Sequence, residues 1–436
     1  MARVIVVGGG IAGLGAAFTL QKAGVEVSVL ESEAEAGGRM RSKYWNGAWI
    51  DLGAEFITSN DTGFEKLAAE LGIIDQKMSY PGEKVAFNIW RDGKAHPLSY
   101  TEASSFLRFG AMSFTSKVRM LGMLPTLIKQ FRRNEKAEHE PWRAAWCDDG
   151  SSVEDWLNKI SPEFLEYAVE PCYELYCGYE PQDFGKAMFV YYSTTYRSTG
   201  VFTFKEGLGQ LTRALAQRLD VQTNARVTRV DLGASPVTVE FEAGGKTEKR
   251  EADMVLVAVP GTRVLGIVDG LDDARRDFFA NVRYTPHELP FYKLSRDPEG
   301  VPDAVFYPRK EDSNIAAIGY AGGSTDPDVK YFRVSMKTGF IRRQLEVEHD
   351  QHARDMIDLV GKRYAQVPPL VEDATVSRWR EALPLFPGGY LKRLASFVNL
   401  PPMRGVSFAG DYLAGAATGA AYATGQRAAA DILSRL

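Results

Sequence analysis

The feature that most constrains this chain is a glycine-rich turn close to its N-terminus. Residues 4–7 form the apolar run VIVV, and the six residues after them read Gly8-Gly9-Gly10-Ile11-Ala12-Gly13. The first, third and last glycines have the spacing of a dinucleotide-binding turn. The apolar pattern predicts a strand before the turn, a helix over 14–23 and a second strand over 25–30. This order predicts a parallel β-α-β unit.

Each glycine at this spacing has a physical task. Gly8 permits the tight turn, Gly10 lets a pyrophosphate approach the backbone, and Gly13 lets the helix pack close to the strand. The free N–H groups and the dipole at the helix start attract the anion. Glu31 follows the second strand, where its carboxylate can accept hydrogen bonds from the 2′- and 3′-hydroxyls of a ribose. Its negative charge disfavours a 2′-phosphate.

The composition is that of a globular protein with more than one domain. The 436 residues are 45% apolar and 25% charged, and a chain of this length usually forms two domains. A net charge of −4 gives no reason to expect a nucleic-acid partner. No apolar stretch reaches the ~18 residues of a membrane span. Since the chain begins directly with a strand and not with a secretory signal, we expect a cytoplasmic protein.

Two further motifs follow the first one. Gly37-Gly38-Arg39-Met40 comes shortly after Glu31, and residues 50–56 read IDLGAEF. With the segments GGGIAGLGAA and LESEAEAGGRMRS, this order resembles the flavin-containing amine oxidase and protoporphyrinogen oxidase superfamily. The similarity is strongest to the protoporphyrinogen-oxidase-like branch. A plain NAD dehydrogenase would show the first motif without the other two.

The resemblance implies a bound FAD. It implies that Arg39 lies near the pyrophosphate, that 53–55 lie near the isoalloxazine, and that the helix start at Thr418 faces the N1–O2 edge of the flavin. Relatives that bond FAD covalently carry a cysteine near residue 380. The three cysteines here are Cys147, Cys172 and Cys177, so we expect non-covalent FAD. The residues implied to bind it are Gly8, Gly10, Ile11, Ala12, Gly13, Glu31, Ser32, Gly38, Arg39, Met40, Leu52, Gly53, Ala54, Glu55, Val227, Gly410, Asp411, Thr418, Gly419 and Ala420.

The resemblance also predicts the domain organisation. The fold class is α/β, with a Rossmann-like FAD-binding domain and an inserted mixed α+β substrate domain. The FAD-binding domain is expected to comprise 1–80, 205–285 and 375–436. The substrate-binding domain is expected to comprise 81–204 and 286–374, with the active site where the two domains meet.

The activity that the resemblance implies is FAD-dependent oxidation. The substrate is expected to be a small, apolar or aromatic molecule whose CH–NH or CH–CH unit gives a hydride to flavin N5, with O2 as the electron acceptor. Many amine oxidases place a lysine near N5, and the candidate here is Lys293. Glu288 or His287, a few residues earlier in the chain, are the alternatives for the group that faces the flavin. Other functions left open are an FAD-dependent desaturase or isomerase of an isoprenoid-like or specialised metabolite, and a non-catalytic flavoprotein partner.

Three other stretches have two interpretations each. The aromatic-rich stretch 189–204 could line a pocket for a flat substrate or form domain core. The basic amphipathic stretch 117–133 could make peripheral membrane contact or be a domain helix with a solvated face. Acidic and histidine side chains over 346–355 fit no common metal-site spacing and favour a solvated helix face, so no metal is expected. A monomer and a homodimer are both compatible with the sequence.

Overall fold

The computed structural model describes residues 2–59, 61–81, 87–99, 103–133, 138–195, 200–302, 304–319 and 331–436. Its strands in chain order are β1 (Arg3–Val7), β2 (Glu26–Leu30), β3 (Ser42–Trp45), β4 (Ala48–Asp51), β5 (Ile57–Thr58), β6 (Lys77–Pro81), β7 (Phe87–Arg91), β8 (Lys94–Leu98), β9 (Gly200–Phe204), β10 (Asp220–Gln222), β11 (Ala225–Asp231), β12 (Val237–Ala243), β13 (Lys246–Ala252), β14 (Met254–Val257), β15 (Val268–Asp269), β16 (Tyr284–Leu294), β17 (Val305–Phe306), β18 (Ile315–Gly319), β19 (Arg333–Met336), β20 (Val371–Pro384) and β21 (Val406–Phe408). Its helices are α1 (Ile11–Lys22), α2 (Thr62–Leu71), α3 (Ala103–Arg108), α4 (Phe114–Arg119), α5 (Leu124–Arg133), α6 (Val153–Leu157), α7 (Pro162–Phe164), α8 (Glu170–Cys177), α9 (Lys186–Thr195), α10 (Gly209–Ala216), α11 (Gly261–Ile267), α12 (Asp273–Ala280), α13 (Thr338–Gln344), α14 (His349–Arg363), α15 (Tyr390–Val398) and α16 (Thr418–Arg435).

A five-stranded parallel sheet in the order β10-β2-β1-β14-β21 lies at the centre of the α/β part. Every residue of β14 is buried, as expected for a parallel strand covered on both faces. The strands come from three distant stretches of the chain, which agrees with an α/β fold interrupted by insertions. The predicted β-α-β unit is confirmed, although α1 begins at Ile11, earlier than its apolar pattern indicated.

The first and last helices of the chain pack closely on each other. A Cβ atom on Gly425 of α16 would lie 2.2 Å from the carbonyl oxygen of Ala12 in α1. A Cβ on Gly15 of α1 would lie 2.6 Å from the ring of Tyr422. Glycines at these positions therefore allow the close approach that brings the C-terminal helix to the N-terminal glycine turn.

A second sheet in the order β19-β18-β17-β7-β8 belongs to the other part of the molecule. It combines the β7–β8 hairpin with three strands from 305–336. The described part of 103–147 contains α3, α4, α5 and two 3-10 segments. The helix expected over 346–355 is α14, which begins at His349 and is separated from the end of α13 by 345–348.

An antiparallel ribbon of β16 and β20 crosses the molecule. Its register runs from Tyr284 opposite Pro384 to Leu294 opposite Val371, with a bulge between Thr285 and His287. The ribbon crosses the boundaries predicted at 285/286 and 374/375. In addition, β9, at the end of the predicted substrate-domain segment 81–204, pairs with β5 and β6 near the predicted FAD-domain segment 1–80. The domain limits stay a prediction.

The aromatic stretch 189–204 forms core in the part that the structure describes. Phe189, Tyr191 and Tyr192 of α9 are buried, and so are Phe202 and Phe204 of β9. The ring of Phe189 contacts those of Trp156, Tyr173 and Phe184. Residues 196–199, including Tyr196, lie outside the described residues. The domain-core interpretation is therefore the one that the described residues support.

Candidate active site

The N-terminal glycine turn has room for a ligand at one position and none at the other two. A Cβ atom on Gly13 would lie 2.0 Å from the Gly8 carbonyl oxygen, and one on Gly8 would lie 2.8 Å from the Ala258 carbonyl oxygen. A Cβ on Gly10 would meet no heavy atom within 4 Å. Gly10 is also the N-cap of α1, and no side chain caps this helix. The open space beside uncapped N–H groups fits a pyrophosphate.

The Glu31 carboxylate is fixed at the end of β2 by its neighbours. One oxygen accepts the backbone N–H of Gly9 at 2.7 Å. The other accepts the N–H of Glu33 at 2.8 Å and the hydroxyl of Ser32 at 3.1 Å. Because these bonds hold a buried carboxylate beside the glycine turn, the position suits a ribose whose hydroxyls donate to it.

Val227 lies on the strand that starts beside Glu31. The N–H of Ala225 donates to the Glu31 carbonyl at 2.8 Å, which brings the start of β11 to the end of β2. Val227 is partly buried, and the pairing of β11 with β12 is irregular between Val227 and Arg229. The bulge frees backbone groups on this strand close to the predicted ribose position.

The second glycine motif packs directly against the first. The N–H of Gly37 donates to the Gly9 carbonyl at 2.8 Å, and a Cβ on Gly38 would lie 3.5 Å from the Gly10 Cα. Gly38–Met40 form a 3-10 turn in which Met40 is buried. The two glycine motifs of the sequence therefore form one cradle.

Arg39 and Asp411 form an ion pair that joins the two ends of the chain. An Nη1 atom of Arg39 donates to Asp411 at 2.6 Å and to the Ala382 carbonyl at 2.6 Å. The other carboxylate oxygen of Asp411 accepts the Tyr284 hydroxyl at 2.7 Å. Burial opposes the charge of the Arg39 guanidinium, but Asp411 and Tyr284 outweigh it, so the pKa of Arg39 is raised. The guanidinium stays a cation beside the cradle.

The turn at 52–55 fits between Arg39 and the ribbon. The N–H of Ala54 donates to the Arg39 carbonyl at 2.8 Å, and a Cβ on Gly53 would lie 2.1 Å from the same oxygen. The Leu52 carbonyl accepts the indole N–H of Trp379 on β20. Only glycine fits against the Arg39 carbonyl. The Trp379 hydrogen bond holds the ribbon against the turn.

The start of α16 completes the cofactor side. The helix begins at Thr418 without a side-chain cap. A Cβ on Gly419 would lie 2.1 Å from a carboxylate oxygen of Asp61, and Ala420 is fully buried. The N–H of Gly410 donates to the Thr424 hydroxyl at 2.9 Å, which holds the preceding turn on this helix. The positive end of the α16 dipole can stabilise an anion there.

His287 occupies the face of the ribbon that is turned to this site. It lies directly opposite Trp379, and directly opposed residues project to the same face of a sheet. Its buried Nδ1 atom has no hydrogen-bond partner among the described residues. Burial, together with the charge of Arg333, lowers the pKa of His287 to about 4. The imidazole is therefore neutral at physiological pH.

An ion pair lies beside this histidine. Arg333 of β19 donates through Nη1 to the Glu55 carboxylate at 2.5 Å, and its guanidinium lies 4.4 Å from the centre of the Phe291 ring. The Nε atom of Arg333 is buried and has no partner among the described residues. Glu55 ends the LGAE turn, so this pair joins the second sheet to the cofactor side.

Aromatic rings surround the same region. The ring centre of Tyr176 on α8 lies 6.2 Å from that of Phe56 and 6.2 Å from that of Phe306. Tyr176 and Phe56 are 43% and 40% exposed, unlike most aromatic side chains of the interior. Because Phe56 directly follows Glu55, these rings form an open aromatic wall next to the ion pair.

The other two candidates on β16 lie elsewhere. Glu288 points to the opposite face, where it is fully buried and lies 2.7 Å from the Nε2 atom of His352. The Lys293 ammonium pairs with Glu372 at 3.0 Å, and its side chain is 45% exposed. Six residues of extended strand separate Lys293 from His287 by roughly 20 Å. The structure does not bring Lys293 to the cradle, and its role stays a prediction.

The described part of the chain was predicted to hold no metal site. No group of three or more His, Cys, Asp or Glu residues there could hold a metal ion. The one histidine of α14 that is buried, His352, is engaged by Glu288.

Residues 11–433 match the family model of the flavin containing amine oxidoreductases. The chain belongs to this family. It is therefore an FAD-dependent oxidoreductase, and FAD is its non-covalent cofactor. The predicted fold class, the cofactor and the enzyme class are confirmed.

Individual relatives of this chain are distant. It is 22% identical to "Protoporphyrinogen oxidase 2, chloroplastic/mitochondrial" of Arabidopsis thaliana, over 100% of this chain and 94% of the relative. It is 32% identical to "Putrescine oxidase" of Kocuria rosea over 37% of this chain, and the match spans only 32% of that oxidase. The solved structure of wild-type putrescine oxidase bound to putrescine matches with a TM-score of 0.76 at 20% identity, over 100% of this chain and 99% of the other. At this identity the structural match shows the fold.

Sequence reasoning missed two residues of the site. Arg333 is a single arginine within the apolar run YFRVSM. This isolated charge was the only local signal that could have indicated a role for it. Tyr284 carries no local signal, because nothing in its neighbourhood indicates that its hydroxyl contacts Asp411. Both contacts depend on strands that are remote in sequence.

Proposed function

We propose that this FAD-dependent oxidoreductase oxidises a small apolar or aromatic molecule at a CH–NH or CH–CH unit, with O2 as the electron acceptor. FAD, when bound, accepts the hydride at N5. The residues of the chain bind the substrate, orient the reacting carbon and exclude water. The observation that carries this proposal is the open aromatic wall beside the Glu55–Arg333 pair, next to the LGAE turn.

The cofactor cradle supports a specific placement of FAD. The pyrophosphate would lie over Gly10 and the N–H groups at the start of α1, with the ribose on Glu31 and the adenine end near Val227. Arg39, held by Asp411, would supply a fixed positive charge. The turn at 53–55 and the start of α16 would border the isoalloxazine, where the helix dipole stabilises negative charge.

The substrate side contains groups that could orient a polar atom. The neutral imidazole of His287 has an unpartnered Nδ1 atom, and the Nε of Arg333 is unpartnered among the described residues. His287 can accept a hydrogen bond from, or donate one to, a substrate nitrogen. A neutral imidazole beside Arg333 suits a substrate N–H better than a free ammonium group, because the arginine repels a second cation.

Two substrate classes follow from the relatives, a porphyrinogen and an amine. The test is anaerobic mixing of the FAD-loaded enzyme with coproporphyrinogen and protoporphyrinogen in one experiment, and with a panel of primary and secondary amines in another. Loss of the oxidised flavin absorbance with either pool is expected, and the pool that causes it identifies the substrate class. Admission of air should then restore the absorbance if O2 is the acceptor.

Three results would contradict the proposal. Flavin that neither pool reduces would refute both substrate classes. Turnover that requires previously reduced FAD and forms no peroxide would indicate a desaturase or isomerase. Flavin that dithionite cannot reduce normally would indicate a non-catalytic flavoprotein.

A further inference from the structure

We infer that residues 103–133 form a docking surface for an anionic lipid membrane. Fifteen large apolar side chains are exposed in the described part of the chain, and seven of them lie between 107 and 131. They are Leu107, Phe114, Val118, Leu121, Leu124, Ile128 and Phe131. Two of these, Phe114 and Leu107, are 80% and 75% exposed. Such a concentration on one segment marks an interaction site.

The exposed side chains form one stripe. From Phe114 to Phe131 they recur every three or four residues, through α4, the 3-10 segment Met120–Met123 and α5. This spacing places them on one helical face. Leu107 joins the stripe because the Lys117 ammonium donates to its carbonyl at 2.9 Å.

The opposite face attaches the stripe to the domain. Met123 and Gln130 are buried, and Leu127 packs against the core. The Gln130 side chain accepts the indole N–H of Trp146. The segment therefore lies flat on the domain with its apolar stripe turned outward, as an interfacial helix requires.

The charge of this surface identifies its partner. Residues 103–133 contain six cationic side chains and no Asp or Glu, in a chain whose net charge is −4. The cations are Arg108, Lys117, Arg119, Lys129, Arg132 and Arg133. Lys129 and Arg133 lie over the Trp146 ring, at 4.2 and 5.4 Å from its centre. An anionic bilayer offers both a charged surface and an apolar interior, which together match this surface.

The geometry disfavours two other arrangements. A symmetric contact between two copies would place like charges opposite each other. In the described residues, no helix has the length and apolar character to cross a bilayer, so the contact is peripheral. The surface would hold the enzyme on the membrane without spanning it.

The experiment is co-sedimentation of the FAD-loaded full chain with vesicles. We expect the enzyme to pellet with phosphatidylcholine vesicles that contain phosphatidylglycerol, and to stay in solution with phosphatidylcholine alone. High salt should weaken the binding, since the attraction is in part electrostatic. The Phe114→Ser/Leu121→Ser variant should bind about tenfold more weakly.

A matched variant removes apolar side chains of similar exposure elsewhere. Tyr44 and Leu265 are 63% and 41% exposed and lie outside the stripe. Tyr44→Ser/Leu265→Ser should bind vesicles like the wild type, and the flavin content should be equal in all three proteins.

Three outcomes would overturn the inference. In the first, the wild-type enzyme remains in solution with anionic vesicles, which refutes the inference without any variant. Both double variants could lose binding equally. Sedimentation velocity could show a dimer that Phe114→Ser/Leu121→Ser dissociates, which would assign the stripe to self-association.

Discussion

The cofactor cradle and the substrate-facing region meet at Glu55 but are built in different ways. The cradle consists mainly of backbone, and a Cβ atom at several of its glycines would overlap main-chain atoms. The substrate-facing region consists of side chains, such as His287, Arg333 and Tyr176, and two of these keep unpartnered polar atoms among the described residues. Substitutions should therefore disrupt folding and FAD binding in the cradle, whereas on the substrate side they should alter catalysis without loss of flavin.

The largest effect is expected for the ion pair that joins the chain ends. Asp411→Ala leaves the Arg39 cation without its partner and also removes the acceptor of the Tyr284 hydroxyl. The free energy of unfolding should fall by about 3 kcal/mol, with loss of flavin from the purified protein. Denaturant unfolding and the flavin-to-protein absorbance ratio measure both. Asp277→Ala, which removes an exposed pair with Arg393, is the control and should change little.

Two alanine substitutions in the glycine turn should separate folding from cofactor binding. Gly13→Ala places a Cβ against the Gly8 carbonyl and should lower the free energy of unfolding by about 2 kcal/mol. Gly10→Ala fits the FAD-free protein and should leave its melting temperature unchanged, while FAD affinity falls roughly tenfold. Thermal melts without FAD and a flavin titration distinguish the two. Equal melting temperatures for both variants would contradict the crowding at Gly13.

On the substrate side, His287→Gln should act on catalysis without loss of flavin. The rate of flavin reduction should fall roughly tenfold, because the substrate loses a fixed hydrogen-bonding group. His349→Gln, at the exposed start of α14, should match the wild type. If His287→Gln reduces flavin as fast as the wild type, His287 does not orient the substrate.

The same histidine predicts a pH dependence of stability. Its pKa is about 4 in the folded protein, against 6.5 for an ordinary histidine. Between pH 4 and pH 6.5 the histidine is protonated more in the unfolded chain than in the folded protein. The contribution of this group to the free energy of unfolding therefore rises with pH and reaches its full value above pH 6.5. His287→Gln should show a shallower rise over that range in denaturant unfolding at several pH values. An unchanged slope would show that the histidine is not held neutral.

The smallest effect concerns the aromatic wall. Tyr176→Leu removes the ring contacts with Phe56 and Phe306 and should raise KM about threefold with little change in kcat. Tyr44→Leu, an exposed ring on β3, should leave KM unchanged. Steady-state kinetics with the substrate that the anaerobic test identifies measure the difference. An equal KM for Tyr176→Leu and the wild type would exclude these rings from the substrate site.

The sequence by itself determined the β-α-β unit, the glycine turn, Glu31 and the family. These features are local, since strand periodicity and glycine spacing record where the backbone must turn or approach closely. The tertiary structure decided which residues meet beside the cradle. Arg39 meets Asp411 across 372 positions, and Glu55 meets Arg333 across 278. Which of Lys293, Glu288 and His287 lies beside the cradle depends on the register of β16 against β20. The sequence of β16 alone cannot predict this register.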